Sequence, residues 1–77
     1  MTTHPTAGHL VTLTSDFGMR DPYAAAMKGV MLDVCPDLRL VDLSHEIAAQ
    51  DVLEGALFLA AALPYFPAGT VHLAVVD

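Results

Sequence analysis

Leu10-Val11-Thr12-Leu13-Thr14-Ser15-Asp16-Phe17-Gly18 is the stretch that decides how this chain folds. Leu10 to Thr14 is a β-branched and aliphatic run, the composition of a short strand. Ser15 to Gly18 are turn formers, so the strand stops there. Asp21-Pro22 then opens a helix, with Asp21 as N-cap and Pro22 at the first helical position. Ala24 to Val34 is rich in Ala and Met, with Ala26, Val30 and Val34 at helical spacing alongside Met27 and Met31. Pro36 marks the stop. Gly29 is unfavourable inside a helix, and close packing on a sheet would explain it.

The pattern then repeats outward. Leu38 to Leu43 reads as a second strand and Ser44 to Ala49 as a connection. Asp51 begins a second helix, with Glu54 as the reciprocal half of a capping box. That helix runs to about Leu63 and stops near Pro64 and Pro67, with a turn at Ala68-Gly69. Thr70 to Val76 is a third strand, closed by Asp77. The order β-α-β-α-β places the chain in the α/β class, with a parallel sheet and right-handed crossovers. Residues 1–9 read as a flexible N-terminal arm and residues 10–77 as one partial α/β domain.

Composition narrows the function. Of 77 residues, 55% are hydrophobic and 16% charged, too apolar for a disordered segment and suited to the inner part of a larger domain. Three basic against nine acidic residues give a net charge of −6, which disfavours nucleic acid and anionic membranes as partners. A substrate with a cationic centre or a sugar diol fits better. The single cysteine, Cys35, excludes an internal disulfide and reads as a packed thiol, with a reducing cytoplasm the simplest setting. Residues 1–9 lack the pattern of a signal peptide. The apolar stretch Gly55 to Phe66 falls short of the roughly 20 residues a membrane span needs.

In open α/β sheets, ligands bind beyond the carboxyl ends of the strands. Each strand here ends in or near an acidic residue: Asp16, Asp42 and Asp77. No Gly-rich phosphate loop follows the first strand. A carboxylate in that position repels phosphate but can accept two hydrogen bonds from a ribose diol. The plainer reading makes Asp16 a turn residue capping its own backbone. Asp77 could orient a water or polarise a base, or simply end a strand. Asp42 could face the crevice, although a cap on the turn at Ser44 is the simpler role. His4, His9, His45 and His72 form no metal-type pair with each other or with Cys35. His45, near a strand end, is a minor site candidate against ordinary loop hydrogen bonding. His72 should lie at the opposite end from the crevice. Met27, Met31, Phe58, Tyr65 and Phe66 read as core.

Taken together, TLTSDFG (Thr12–Gly18), Asp21-Pro22-Tyr23, Met27-Lys28-Gly29-Val30, Val41-Asp42-Leu43-Ser44-His45, Asp51 to Ala56, Tyr65 to His72 and Val75-Val76-Asp77 resemble the adenosine-forming S-adenosylmethionine hydrolases. That family, the SAM hydroxide adenosyltransferases, is related to the fluorinase and chlorinase. The resemblance runs from about residue 10 to residue 77. It implies an N-terminal α/β domain followed by a β-rich domain, in homotrimers whose substrate lies between neighbouring subunits. It implies attack on C5′ of S-adenosylmethionine by water or hydroxide, with S-adenosylmethionine as substrate and no cofactor. Asp16 then matches the carboxylate that binds the ribose hydroxyls. Asp21 matches a halogenase residue near the methionine amino group. Asp77 matches the Asp of an Asp-Arg-His set that prepares the water, where the halogenases carry Tyr. Gln50 stands where the fluorinase has Trp. Both differences favour the hydrolase branch. The family's Arg and His lie beyond position 77, so the chain is expected to be an N-terminal fragment, inactive alone. The competing readings are a halogenase fragment, a receiver-like signalling domain and a non-catalytic nucleoside-binding module.

Overall fold

The computed structural model describes residues 9–77; the expected arm, apart from His9, lies outside the described residues. Three strands, β1 (Leu10–Ser15), β2 (Arg39–Ser44) and β3 (Val71–Val75), alternate with two helices, α1 (Tyr23–Val34) and α2 (Val52–Ala62). A 3-10 turn, Leu63–Tyr65, follows α2 where Pro64 removes a backbone donor. The sheet is parallel, in the order β2-β1-β3, as an α/β fold requires.

β1 is the centre, and Val11 to Ser15 are all buried. A central parallel strand is covered on both faces, so its side chains need partners on both. Val11, Leu13 and Ser15 share one face; Thr12 and Thr14 share the other. Lys28 of α1 reaches Asp42, which pairs with Leu13. On the opposite face Ala74 pairs with Thr14, and Val52, Gly55, Ala56 and Leu59 of α2 form a groove with Ala74 and Val76. The β1–β2 register shifts by one residue between Leu13 and Thr14: Leu13 pairs with Asp42, but Thr14 pairs with Ser44. Leu43 is therefore an extra residue, a bulge at the carboxyl end of β2.

The second helix has the expected Asp51 cap but not the expected reciprocal bond from Glu54. Asp51 Oδ1 accepts the Glu54 amide at 2.9 Å. Glu54 Oε1 accepts the Ala48 amide at 2.5 Å, not that of Asp51, because Asp51 N–H is already bonded to the Ala48 carbonyl. The first helix differs. Pro22 occupies its cap position and no side chain caps it, so Asp21 is an exposed residue of the preceding turn.

Three packing expectations are corrected. Gly29 is not pressed against the sheet, since a Cβ there would meet nothing within 4 Å. The close approach is at Gly55, where a Cβ would lie 3.1 Å from Val76 Cγ2 and 3.7 Å from Ile47 Cγ2. The spacing Ala26-Val30-Val34 marks the exposed face of α1; Ala24 is its buried residue and Met27 and Met31 are half-buried. Tyr65 is 86% exposed and Phe58 is also exposed, so neither is core; Phe66 packs its ring edge-on against His72. The buried apolar core comprises Val11, Leu13, Ala24 and Ile47. Among the described residues, no helix is long and apolar enough to cross a membrane.

Candidate active site

The strand order puts a topological switch between β1 and β3. From β1 the chain crosses to one neighbour, β2, and then returns past β1 to the other. At such a point the connections leave in opposite directions and open a crevice at the carboxyl ends. Ser15 and Val75 are the last registered pair. Asp16 is one residue beyond and Asp77 two, so the geometry brings these two carboxylates to the same end of adjacent strands. Asp21 lies further along the loop after β1.

Asp16 does not cap its own turn. Its Oδ2 accepts the Gln50 amide at 2.8 Å, across 34 positions of sequence, and its own N–H extends the ladder to the Val75 carbonyl. The capping task falls to Ser15, whose Oγ accepts the Phe17 amide at 3.2 Å. Gly18 supplies a φ of 71° at the turn's end, and its N–H donates to the His45 carbonyl at 2.6 Å. Gln50 has φ 63°, a conformation that costs a non-glycine residue about 1 kcal/mol. Its amide therefore meets Asp16 at the cost of local strain, which is common where a backbone group serves a site.

Asp42 and His45 are joined in a way the sequence did not disclose. Ser44, not Asp42, makes the turn bond, accepting the Glu46 amide on its Oγ. Asp42 Oδ2 accepts from Lys28 Nζ at 2.8 Å and Oδ1 from His45 Nε2 at 2.8 Å. The Lys28 hydrogen bond, then that of His45, holds the Asp42 carboxyl below the usual carboxylate range. His45 is buried, and its Nδ1 lies 2.6 Å from Ser15 Oγ. The only sequence signal was His45 standing near a strand end. His72, in the amino-terminal half of β3, bonds Thr12 Oγ1 at 2.6 Å, away from the carboxyl end.

Against this geometry, the SAM hydroxide adenosyltransferase N-terminal domain family matches residues 11–77. The chain belongs to that family. It is 48% identical over 67 residues to an (R)-S-adenosyl-L-methionine hydrolase of Thermus thermophilus, covering 87% of this chain and 26% of that protein. It is 41% identical over 71 residues to a fluorinase of Nocardia brasiliensis, covering 92% of this chain and 24% of that enzyme. A crystal structure of a conserved hypothetical protein from Thermus thermophilus superposes with a TM-score of 0.78 at 49% identity, covering 87% of this chain and 28% of that one. The chain thus spans about a quarter of the length of the relatives it matches.

Proposed function

We propose that residues 10–77 form the first part of the N-terminal α/β domain of an enzyme that hydrolyses S-adenosylmethionine to adenosine and L-methionine. Water or hydroxide forms a bond to C5′, the C5′–S bond breaks, and its electron pair returns to the sulfonium sulfur; with water as nucleophile, one proton is released. The observation that carries this reading is that Asp16 and Asp77 both lie just beyond the carboxyl ends of the adjacent parallel strands β1 and β3. Asp16, with Oδ2 on the Gln50 amide, is the ribose holder. Asp77 orients the nucleophilic water, and Asp21 lies toward the methionine amino group. The sulfonium cation suits an acidic crevice. Holding the nucleophile in line behind C5′ supplies much of the acceleration.

Asp77 and Gln50, set against Tyr and Trp in the halogenases, favour water over halide. The fluorinase relative makes the halide reading the one to exclude. By family analogy the whole enzyme is a cytoplasmic homotrimer with shared sites, and this segment is inactive without the family's Arg and His. The test incubates the full-length protein carrying this segment with S-adenosylmethionine, with and without fluoride or chloride. Adenosine and methionine are expected regardless of halide; a halogenated nucleoside, or no turnover, overturns the assignment. Asp77→Asn is expected to lower kcat by roughly a hundredfold, the scale of a lost general-base contribution, with little change in substrate affinity. Equal losses in kcat and affinity remove its proposed role.

A further inference from the structure

Ser15, His45 and Asp42 stand in the order of a nucleophilic triad, but their burial gives them a different task. Ser15 is fully buried and His45 is 3% exposed, so no substrate can reach the hydroxyl. Its oxygen also already accepts the Phe17 amide. What the set does hold is the turn that carries Asp16.

The hydrogen bonds have one consistent direction. Asp42 carboxylate only accepts, so the His45 nitrogen facing it, Nε2, carries the proton. In the neutral ring Nδ1 is then an acceptor, and the Ser15 hydroxyl donates to it. That leaves Ser15 Oγ free to accept from Phe17 N–H. Lys28, from α1, fixes the far end by donating to Asp42. The His45 carbonyl grips the same turn again, at Gly18, and the Ser15 carbonyl accepts the Ile47 amide.

We propose that His45 and Ser15 are positioning residues that set the orientation of Asp16 for ribose binding, with Asp42 and Lys28 fixing the imidazole; this rests on the hydrolase reading above. The reason is alternation. Ser15 and Asp16 are consecutive at a strand end, so their side chains point to opposite faces. Locking Ser15 into His45 on one face therefore aims Asp16 at the other, toward the Gln50 amide. A turn bound only through its backbone leaves that direction free to drift.

The test uses the full-length protein. Unsubstituted, its release of adenosine from S-adenosylmethionine tests the hydrolase reading alone. Ser15→Ala and His45→Ala are expected to raise KM and the Kd for adenosine about tenfold, the equivalent of one hydrogen bond, while kcat changes little. Asp42→Asn keeps an acceptor for Nε2–H but loses the Lys28 bond, so a smaller rise in both values is expected. A lower Tm with unchanged Kd for adenosine makes the two residues merely structural and overturns the proposal while the hydrolase stands. If the unsubstituted protein binds adenosine without hydrolysing S-adenosylmethionine, the hydrolase reading falls, and the variants' adenosine Kd still decides the positioning role. If it binds no adenosine, both fall. Nitrogen-15 NMR of the unsubstituted protein at neutral pH needs no variant to fold. The Nε2–H tautomer of His45 is expected; the Nδ1–H tautomer or a doubly protonated ring overturns the relay.

Discussion

The two edges of β1 are joined to their neighbours by different chemistry. Toward β2 the carboxyl end is closed by a polar chain from Lys28 through Asp42 and His45 to Ser15. On the β3 side the ladder ends with Asp16 N–H on the Val75 carbonyl, and the next residue, Val76, is held by apolar contact with Gly55 of α2. The polar side fixes direction, because hydrogen bonds at 2.6–2.8 Å tolerate little rotation. The apolar side fixes distance, because the hydrophobic effect is non-directional and close packing limits the approach. Asp16 stands where the two meet, so its placement needs both.

Leu13→Ala strikes both edges at once, since Leu13 is fully buried between Asp42 and Leu73. A loss of about 2–5 kcal/mol is expected, enough to leave so small a core largely unfolded by circular dichroism. Gly55→Val attacks only the apolar edge. Its Cβ meets Val76 at 3.1 Å, and the loss should be about 1–3 kcal/mol in urea titration. Gly29→Ala touches neither edge and has the opposite sign. With open space around its Cβ, it should stabilise α1 by about 1 kcal/mol and raise Tm. The smallest effect isolates the polar edge. The Asp42 carboxyl is held low by the Lys28 and then the His45 hydrogen bond. Its contribution is therefore fully present above the unfolded carboxylate value and lost as pH falls through the lower folded one, that is, below about pH 4. The pair is partly exposed, so the effect is modest and should shrink in high salt. Comparing unsubstituted and Asp42→Asn chains by urea titration from pH 5 to pH 2 should show a steeper acid loss in the former; parallel curves refute the assignment.

Much of this architecture is legible in the residues themselves. Turn formers marked the ends of β1 and β2 to within a residue, Ser15 and Ser44 both proving to be strand, and Asp51 with Glu54 marked a helix start. The strand order was not legible, because each crossover can return to either side of β1 without changing a single local preference. The faces of the helices were misread for a related reason. α1 and α2 are apolar around much of their circumference, so spacing alone does not say which stripe meets the sheet. Gly29 and Gly55 show the same limit: glycine marks a close approach only once the neighbour is known. At the site, position near a strand end raised Asp16, Asp42 and Asp77 alike, and only the family resemblance set Asp16 and Asp77 apart. The joining of His45 to Ser15 spans 30 residues and depends on the register of two strands. Thr14 is a different case. Its buried Oγ1 has no hydrogen-bond partner among the described residues, and nothing in the strand's composition distinguishes it from Thr12, which has one.

The extra residue at Leu43 has a consequence of parity. In an unbroken strand, positions 42 and 45 differ by an odd number and face opposite sides. The register shift after Leu13 spends one residue, which turns His45 back to the side that Asp42 already occupies. It also draws His45 level with Ser15. The link between α1 and the Asp16 turn is thus written in chain length as much as in side-chain identity. Adding one further residue between Asp42 and His45, with the bulge kept, would retain every polar group of the link and disconnect it.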